Sequence, residues 1–190
     1  MKVKEIVDLL LEVDRLEAYP RMGYLMRSVA APESVAAHSY GMTMWAMLLV
    51  DHFPEADAGK TLRMALLHEL GEVKLGDIPK RGENFLPAGA KDEAESKIAA
   101  HLLAPLDDLG ERYRELFEEF IAGETLEARL VKAADKLQMM AKVLRYERAG
   151  NRDVAEFWEY PPNFVEQDLA LVRALFAELR RRRPATDSQT

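Results

Sequence analysis

Residues 34–54 read SVAAHSYGMTMWAMLLVDHFP, and this stretch decides the fold class. Ser34 is a residue type that opens helices, because its hydroxyl accepts a hydrogen bond from a first-turn N–H that has no partner within the helix. Behind it Val35, Met42, Trp45, Ala46 and Leu49 fall on one helical face, and the run stops at Phe53-Pro54. The same spacing recurs outward in both directions. Toward the N-terminus, Val3, Ile6, Val7, Leu10 and Leu11 predict a helix over Lys2–Arg15. An ordered loop from Tyr19 to Pro32 follows, punctuated by Pro20 and Gly23. Toward the C-terminus, helices are expected at Ala58–Leu70, Lys91–Ala104, Glu111–Ile121, Leu126–Ala149 and Asn163–Arg181. Gly71 to Gly89, with Pro79 and Pro87, reads as loop with at most one short helical turn, and a loop of that length tends to carry function. No period-two run of β-branched residues competes with this pattern. The expectation is an all-α chain, one domain over residues 1–182 with a flexible tail at 183–190.

Composition narrows the function. The chain has 190 residues, 48% hydrophobic and 31% charged, which supplies one core and a wet surface and excludes global disorder. Cysteine is absent, so disulfides, thiolate ligands and a cysteine nucleophile are excluded, and any metal must use nitrogen and oxygen donors. Lys2, Lys4, Glu5, Asp8, Glu12 and Asp14 interrupt the first apolar segment, which excludes a signal-peptide core and leads to an expected cytoplasmic location. The longest apolar stretch, Met42 to Val50, is too short to cross a hydrocarbon layer of about 30 Å, so no membrane span is expected. A net charge of -7 argues against holding long nucleic acid, whose affinity comes from clustered Lys and Arg. A single phosphate needs only one or two local cations and a metal.

Four histidines occur, and two of them stand amid small or apolar neighbours: His38 in Val35–Tyr40 and His68 in Ala65–Leu70. A lone helical histidine is more often a satisfied core residue than a ligand. Here, however, Glu69 follows His68 at once, and Glu72 and Asp77 stand close behind it, a cluster that repels itself unless a cation holds it. Asp135 lies on an apolar helix, Leu130–Leu137, where an unpartnered carboxylate is costly to bury. Imidazole and carboxylate donors together suit one divalent ion such as Mn, Co, Mg or Zn, with water completing its shell. Such an ion acidifies a water and draws charge from a phosphoryl oxygen. His52, at a helix end, and His101, on an acidic helix, fit structural or solvent roles, and the Met42, Met44, Met47 and Met139, Met140 groups fit core packing. The run Arg180 to Arg183 complements a helix C-terminus. Trp158, Tyr160, Pro161 and Pro162 fit either a subunit contact or a seal on the core.

The spacing resembles the HD-domain phosphohydrolases, whose pattern is a histidine, a His-Asp doublet and a distant aspartate on helices around one metal. His38, His68 with Glu69, and Asp135 match those places. The likeness extends to the branch of bacterial 5'-deoxynucleotidases and their eukaryotic HD-domain relatives. It is carried by Arg21 to Tyr24, Arg27 to Val29, Pro32 to Val35, Glu72, Gly76 to Ile78, Ala134 to Leu137 and Tyr146-Glu147. The resemblance implies a helical bundle with a metal held by His38, His68, Glu69 and Asp135. It implies Glu72 as general acid or base, Asp77 as the group that positions substrate or a sugar hydroxyl, and Arg21 as the phosphate binder, with Lys80 a further phosphate candidate beside its reading as a solvated loop lysine.

Two departures stand out. The doublet is His-Glu rather than His-Asp, and Tyr24 stands where similar proteins often carry tryptophan near the sugar. The expected activity is hydrolysis of nucleoside 5'-monophosphates, deoxynucleotides among them, by metal-activated water. A phosphodiesterase acting on another small nucleotide and a metal- or nucleotide-binding regulatory protein without turnover stay open as alternatives. The same likeness, with the apolar and aromatic residues late in the chain, leads to an expected homodimer.

Overall fold

The computed structural model describes residues 2–184. Its long helices are α1 (Val3–Val13), α3 (Val35–Val50), α4 (Ala58–Leu67), α7 (Ala90–Leu103), α8 (Asp108–Ala122), α9 (Leu126–Arg148) and α10 (Ala170–Arg181). Single turns form α2 (Met22–Leu25), α5 (Glu72–Leu75) and α6 (Lys80–Glu83), and short 3-10 segments cover Asp14–Glu17, Ala104–Leu106, Asp153–Glu159 and Pro161–Asn163. Among the described residues the only β pairing is an isolated antiparallel bridge between Pro20 and Ser34. The all-α expectation is borne out.

Local chemistry sets the helix starts that matter for the site. The Ser34 hydroxyl accepts from the Ala37 N–H at 3.2 Å, the Asp57 carboxylate from Lys60 at 2.9 Å and the Thr125 hydroxyl from Ala128 at 3.3 Å, so α3, α4 and α9 each begin on a side-chain cap. The Pro20–Ser34 bridge and the Arg21 N–H bond to the Glu33 carbonyl at 3.0 Å tie both ends of the first loop together, which fixes Arg21 beside the start of α3.

Helix α9 is the spine. It packs on α3, α4, α8 and α10, and Leu130, Val131, Ala133, Ala134, Leu137, Met140 and Val143 on it are all fully buried. A larger apolar cluster gathers around it, including Met42, Ala46, Met64 and Ala65. A smaller one contains Val35, Leu70, Val73, Ala99, Leu103 and Phe117. On α3, His38 falls between Val35 of the smaller cluster and Met42 of the larger; after α4, His68 falls between Leu70 and Ala65 in the same way. The polar centre therefore occupies the seam between two cores.

Several features differ from expectation, among them a helical turn, α2, inside the Tyr19–Pro32 loop and a start of α8 at Asp108 rather than Glu111. Helix α4 ends at Leu67 instead of Leu70, because the His68 ring takes a last-turn carbonyl. The Gly71–Gly89 loop carries two helical turns rather than one. The last helix begins at Ala170 rather than Asn163, because Glu166 stands at φ +54° in the left-handed region, which a right-handed helix cannot run through. Helix α1 holds no fully buried residue; Val3, Val7, Leu10 and Leu11 are exposed, and only Leu9 and Val13 join the smaller cluster. Of the expected tail, 185–190 lie outside the described residues. Arg183 is held, with Nη2 2.7 Å from Glu147 Oε1 and its guanidinium 4.9 Å from the Trp158 ring. No helix among the described residues is long and apolar enough to cross a membrane.

Candidate metal centre

Three elements bring the expected donors together: His38 from the first turns of α3, His68 and Glu69 from the turn between α4 and α5, and Asp135 from mid-α9. His38 and His68 are buried and Glu69 nearly so. One donor atom from each of these three lies within 4.8 Å of the others.

The ring orientations follow from the partners. His68 Nδ1 sits 2.7 Å from the Ala65 carbonyl, an acceptor only, so Nδ1 carries the hydrogen and Nε2 presents its lone pair. His38 Nδ1 sits 2.6 Å from Gln138 Oε1, again leaving Nε2 as the lone pair. The two Nε2 atoms stand 3.4 Å apart. Glu69 Oε1 lies 3.4 Å from one and 3.3 Å from the other, and Asp135 Oδ1 lies 3.2 Å from His38 Nε2. That Asp135 oxygen is buried and meets no hydrogen-bond donor among the described residues.

With both imidazoles neutral, lone pairs therefore face lone pairs, an arrangement that a cation at their centre reconciles. Ligands about 2.1 Å from a divalent ion stand about 3.0 Å apart at right angles and about 3.4 Å apart at the tetrahedral angle. The observed separations of 3.2 to 3.4 Å match those polyhedron edges. The residues present fit a divalent ion, and the Glu69 methylene does not remove its carboxylate from the set.

Arg21 stands over the same acids. Its Nη1 is 2.7 Å from Glu69 Oε1, 3.2 Å from Asp77 Oδ1 and 3.9 Å from Glu72 Oε1, and Nη2 is 4.0 Å from Asp135 Oδ1. Burial works to raise the carboxyls of Glu69 and Asp135, yet both are held well below the usual range. For Glu69, His68 and Arg21 outweigh burial; for Asp135, Lys136, His38 and Arg21 do so. In each case cations gathered at one point do this, a role that a divalent ion fills with the imidazoles neutral.

Glu72, opening α5, moves the other way: burial and the adjacent Glu69 charge, against Arg21 and with Asp77, push its carboxyl up to about 10. Its Oε2 is buried and meets no donor among the described residues. Asp77 accepts the Met22 N–H and contacts Arg21, so it holds the Arg21–Met22 turn against the site.

Beside the donors lies a cavity of about 690 Å³. Its wall includes Arg21, Glu72, Asp77 and Lys80, all expected from sequence, but Lys80 is mostly exposed and its Nζ lies 2.6 Å from Glu83 at the rim. Three better-placed cations escaped the sequence reading. Lys132 and Lys136 flank Asp135 on α9 and line the cavity, and Lys136 Nζ is 3.0 Å from Asp135 Oδ2. Lys91 lines it from α7, paired with Glu95 at 2.9 Å. The i, i+4 spacing of Lys132 and Lys136 was the available signal. Phe157, Tyr160 and Pro162 form an apolar wall, while Trp158 is buried, its indole N–H donating to Glu147 Oε2 at 3.2 Å. The Trp158–Pro162 segment thus serves core and cavity together.

Residues 13–165 match the family described as HD domain. The chain belongs to the HD-domain family. Its expected likeness to the 5'-deoxynucleotidase branch is borne out: it is 33% identical to the 5'-deoxynucleotidase hdd1 of Schizosaccharomyces pombe over 82% of this chain and 80% of that protein. Among solved structures it is similar to a conserved hypothetical protein from Pyrococcus furiosus, with 37% identity, a TM-score of 0.77 and coverage of 92% of this chain and 99% of that one. It is also similar to a predicted metal-dependent phosphohydrolase from Magnetospirillum magnetotacticum, with 26% identity, a TM-score of 0.68 and coverage of 96% and 99%.

Proposed function

We propose that this protein is a metal-dependent phosphomonoesterase that hydrolyses nucleoside 5'-monophosphates, deoxynucleotides included, to nucleoside and phosphate. The observation that carries the reading is the set of converging lone pairs on His38, His68, Glu69 and Asp135 at the wall of a cation-lined cavity. A divalent ion held by those four residues supplies Lewis acidity and a more acidic water. Arg21, with Lys132 and Lys136, binds the phosphate; its planar guanidinium suits two phosphate oxygens. Glu72 holds or moves the proton at Oε2, the buried oxygen that meets no donor among the described residues. Asp77 keeps Arg21 in place through the contact at 3.2 Å and orients the sugar side of the substrate. Lys80, spent on Glu83, contributes only at the rim. The wall of Met139, Phe157 and Tyr160 takes the base without reading its edges. The similarity to the 5'-deoxynucleotidase hdd1 supports the nucleotide class.

The same reading includes a homodimer. Helix α3 contains no Asp, Glu, Lys or Arg, its His38 faces inward, and it exposes Tyr40, Met44 and Leu48 along one side. An uncharged face is compatible with its own copy across a two-fold axis in a protein of net charge -7.

Chelator-stripped protein supplied with Mn, Co, Mg or Zn and a panel of 5'-monophosphates is expected to release inorganic phosphate only when an ion is added. A cavity of 690 Å³ also admits a larger nucleotide, so cyclic and dinucleotide diesters belong in the panel. Diester cleavage without monoester cleavage replaces the reading with a phosphodiesterase; ion binding without any release replaces it with a regulatory protein.

A further inference from the structure

Behind His38, on the side away from the cavity, a second set of buried polar groups runs from α9 to the loop before α3. Gln138 Nε2 lies 3.2 and 3.0 Å from the two Glu33 carboxylate oxygens, and Gln138 Oε1 lies 2.6 Å from His38 Nδ1. Lys142, one helical turn further along α9, places Nζ 2.8 Å from Glu33 Oε2. Glu33 and Gln138 are both buried, and neither belongs to the expected site.

Carboxylate oxygens only accept, so the Gln138 atom that faces both of them is the amide nitrogen. The amide cannot flip without setting its oxygen against Glu33 and its N–H against His38. Gln138 Oε1 is thus fixed as an acceptor, and His38 must present Nδ1–H to it.

The backbone opposite makes room for this arrangement. A Cβ on Gly41 would stand 3.2 Å from Gln138 Nε2 and 3.3 Å from its Cγ, closer than side chains ordinarily approach. Gln138 is tied at both ends and has nowhere to retreat. Glycine in a helix interior lowers helix stability, so its presence in the middle of α3 has a local cost that this contact explains.

We propose that Gln138 is a positioning residue for the metal centre: oriented by the Lys142-neutralised Glu33 and given space by Gly41, it locks His38 in the tautomer that offers Nε2 to the ion. The part concerning metal affinity rests on the metal-dependent reading above; the part concerning the ring stands without it. Partners of this kind on the far nitrogen of a ligating histidine typically govern metal affinity by about 10- to 100-fold.

The test uses the full chain with two readouts. Histidine ring ¹⁵N shifts of the metal-free protein report which His38 nitrogen carries the hydrogen, and competition titration with Mn or Zn reports affinity. In Gln138→Met the Nδ1–H tautomer is expected to lose its dominance and affinity to fall about tenfold or more, whereas Gln138→Glu combined with Glu33→Gln, which exchanges amide and carboxylate and keeps an acceptor toward His38, retains both. Gly41→Ala separates this role from a structural one. Alanine gains helix propensity but crowds Gln138, two effects of similar size and opposite sign, so the thermal midpoint is expected to change little while affinity falls several-fold, a divergence that loss of fold does not produce. Should Gln138→Met fail to fold, Gly41→Ala decides alone with the same two readouts. Parental affinity and an unchanged His38 tautomer in the variants that fold overturn the proposal. If the parent protein binds no ion, the metal reading falls, and the ¹⁵N shifts still decide whether Gln138 sets the ring.

Discussion

Glu69 has one methylene more than the aspartate of the family doublet, and the site is built to that length. Its Oε1 lies 3.3 and 3.4 Å from the two imidazole Nε2 atoms and 2.7 Å from Arg21 Nη1. Glu69→Asp withdraws the oxygen by about 1.5 Å, roughly one C–C bond. Metal affinity measured by titration is expected to drop about tenfold, as for other losses at a ligand shell. Tighter metal binding, or a sharp rise in phosphate release, would show the native glutamate to be a damper instead.

Glu72 yields a pH prediction for the metal-free protein. Its folded carboxyl sits at about 10 against an ordinary 4.5, so between those values the folded chain holds a proton that the unfolded chain has released. Stability contributed by this group therefore falls as pH rises through that window, by at most about 1.4 kcal/mol per pH unit. Glu69, shifted down, acts on the other side: its contribution is present above the ordinary carboxyl range and is lost as the pH falls below it. Urea midpoints of chelated Glu72→Gln between about pH 5 and 9 are expected to decline less steeply than those of the parent. An equal decline would remove Glu72 as the cause.

Among the helices, those that build the site announce themselves by caps and apolar spacing. Ser34→Ala removes the acceptor for the Ala37 N–H and is expected to cost about 1 kcal/mol in urea unfolding; no loss would mean that the cap is replaced by water. Gly71→Ala is the harsher change. Its Cβ would lie 2.5 Å from Glu95 Cβ and 2.8 Å from Glu95 Cα, so α7 must move, at a cost of about 1–3 kcal/mol. A Gly71→Ala protein as stable as the parent would show that α7 yields freely there.

The starts of α3 and α9 were legible because Ser34 caps the one and an apolar run fills the other, and the four candidate donors drew notice because ionisable groups on apolar segments stand out. The end of α4 was not, because His68 stops the helix with its own ring, a bond that the sequence pattern does not reveal. The 3-10 stretch at 153–163 was missed because aromatic residues beside prolines do not specify a period. The pairing of Glu33 with Gln138 was invisible for a different reason: the two are 105 positions apart, and neither side chain names its partner.

Across the whole molecule, the exposed apolar residues predict association. Tyr40 is 72% exposed, Met44 40% and Leu48 56%, all on one side of α3 with no charge among them. Leu48→Lys places like charges against each other across a two-fold contact and is expected to turn a dimer into a monomer in sedimentation velocity, with the helical signal unchanged. A parent that sediments as a monomer would leave that face as plain surface.

Asp135 and Gln138 share α9, less than one turn apart, and that helix is packed on most of its sides. On the proposed reading Asp135 holds the ion and Gln138 steers His38 toward it, so both move as a single rigid rod and cannot drift out of step. The opposite side of the cavity, at 153–163, is built from 3-10 turns, whose hydrogen-bond geometry is poorer than that of an α-helix. On warming, the protein should therefore release its nucleotide well before its ion, and a heat-treated sample stripped of turnover should still carry metal through gel filtration.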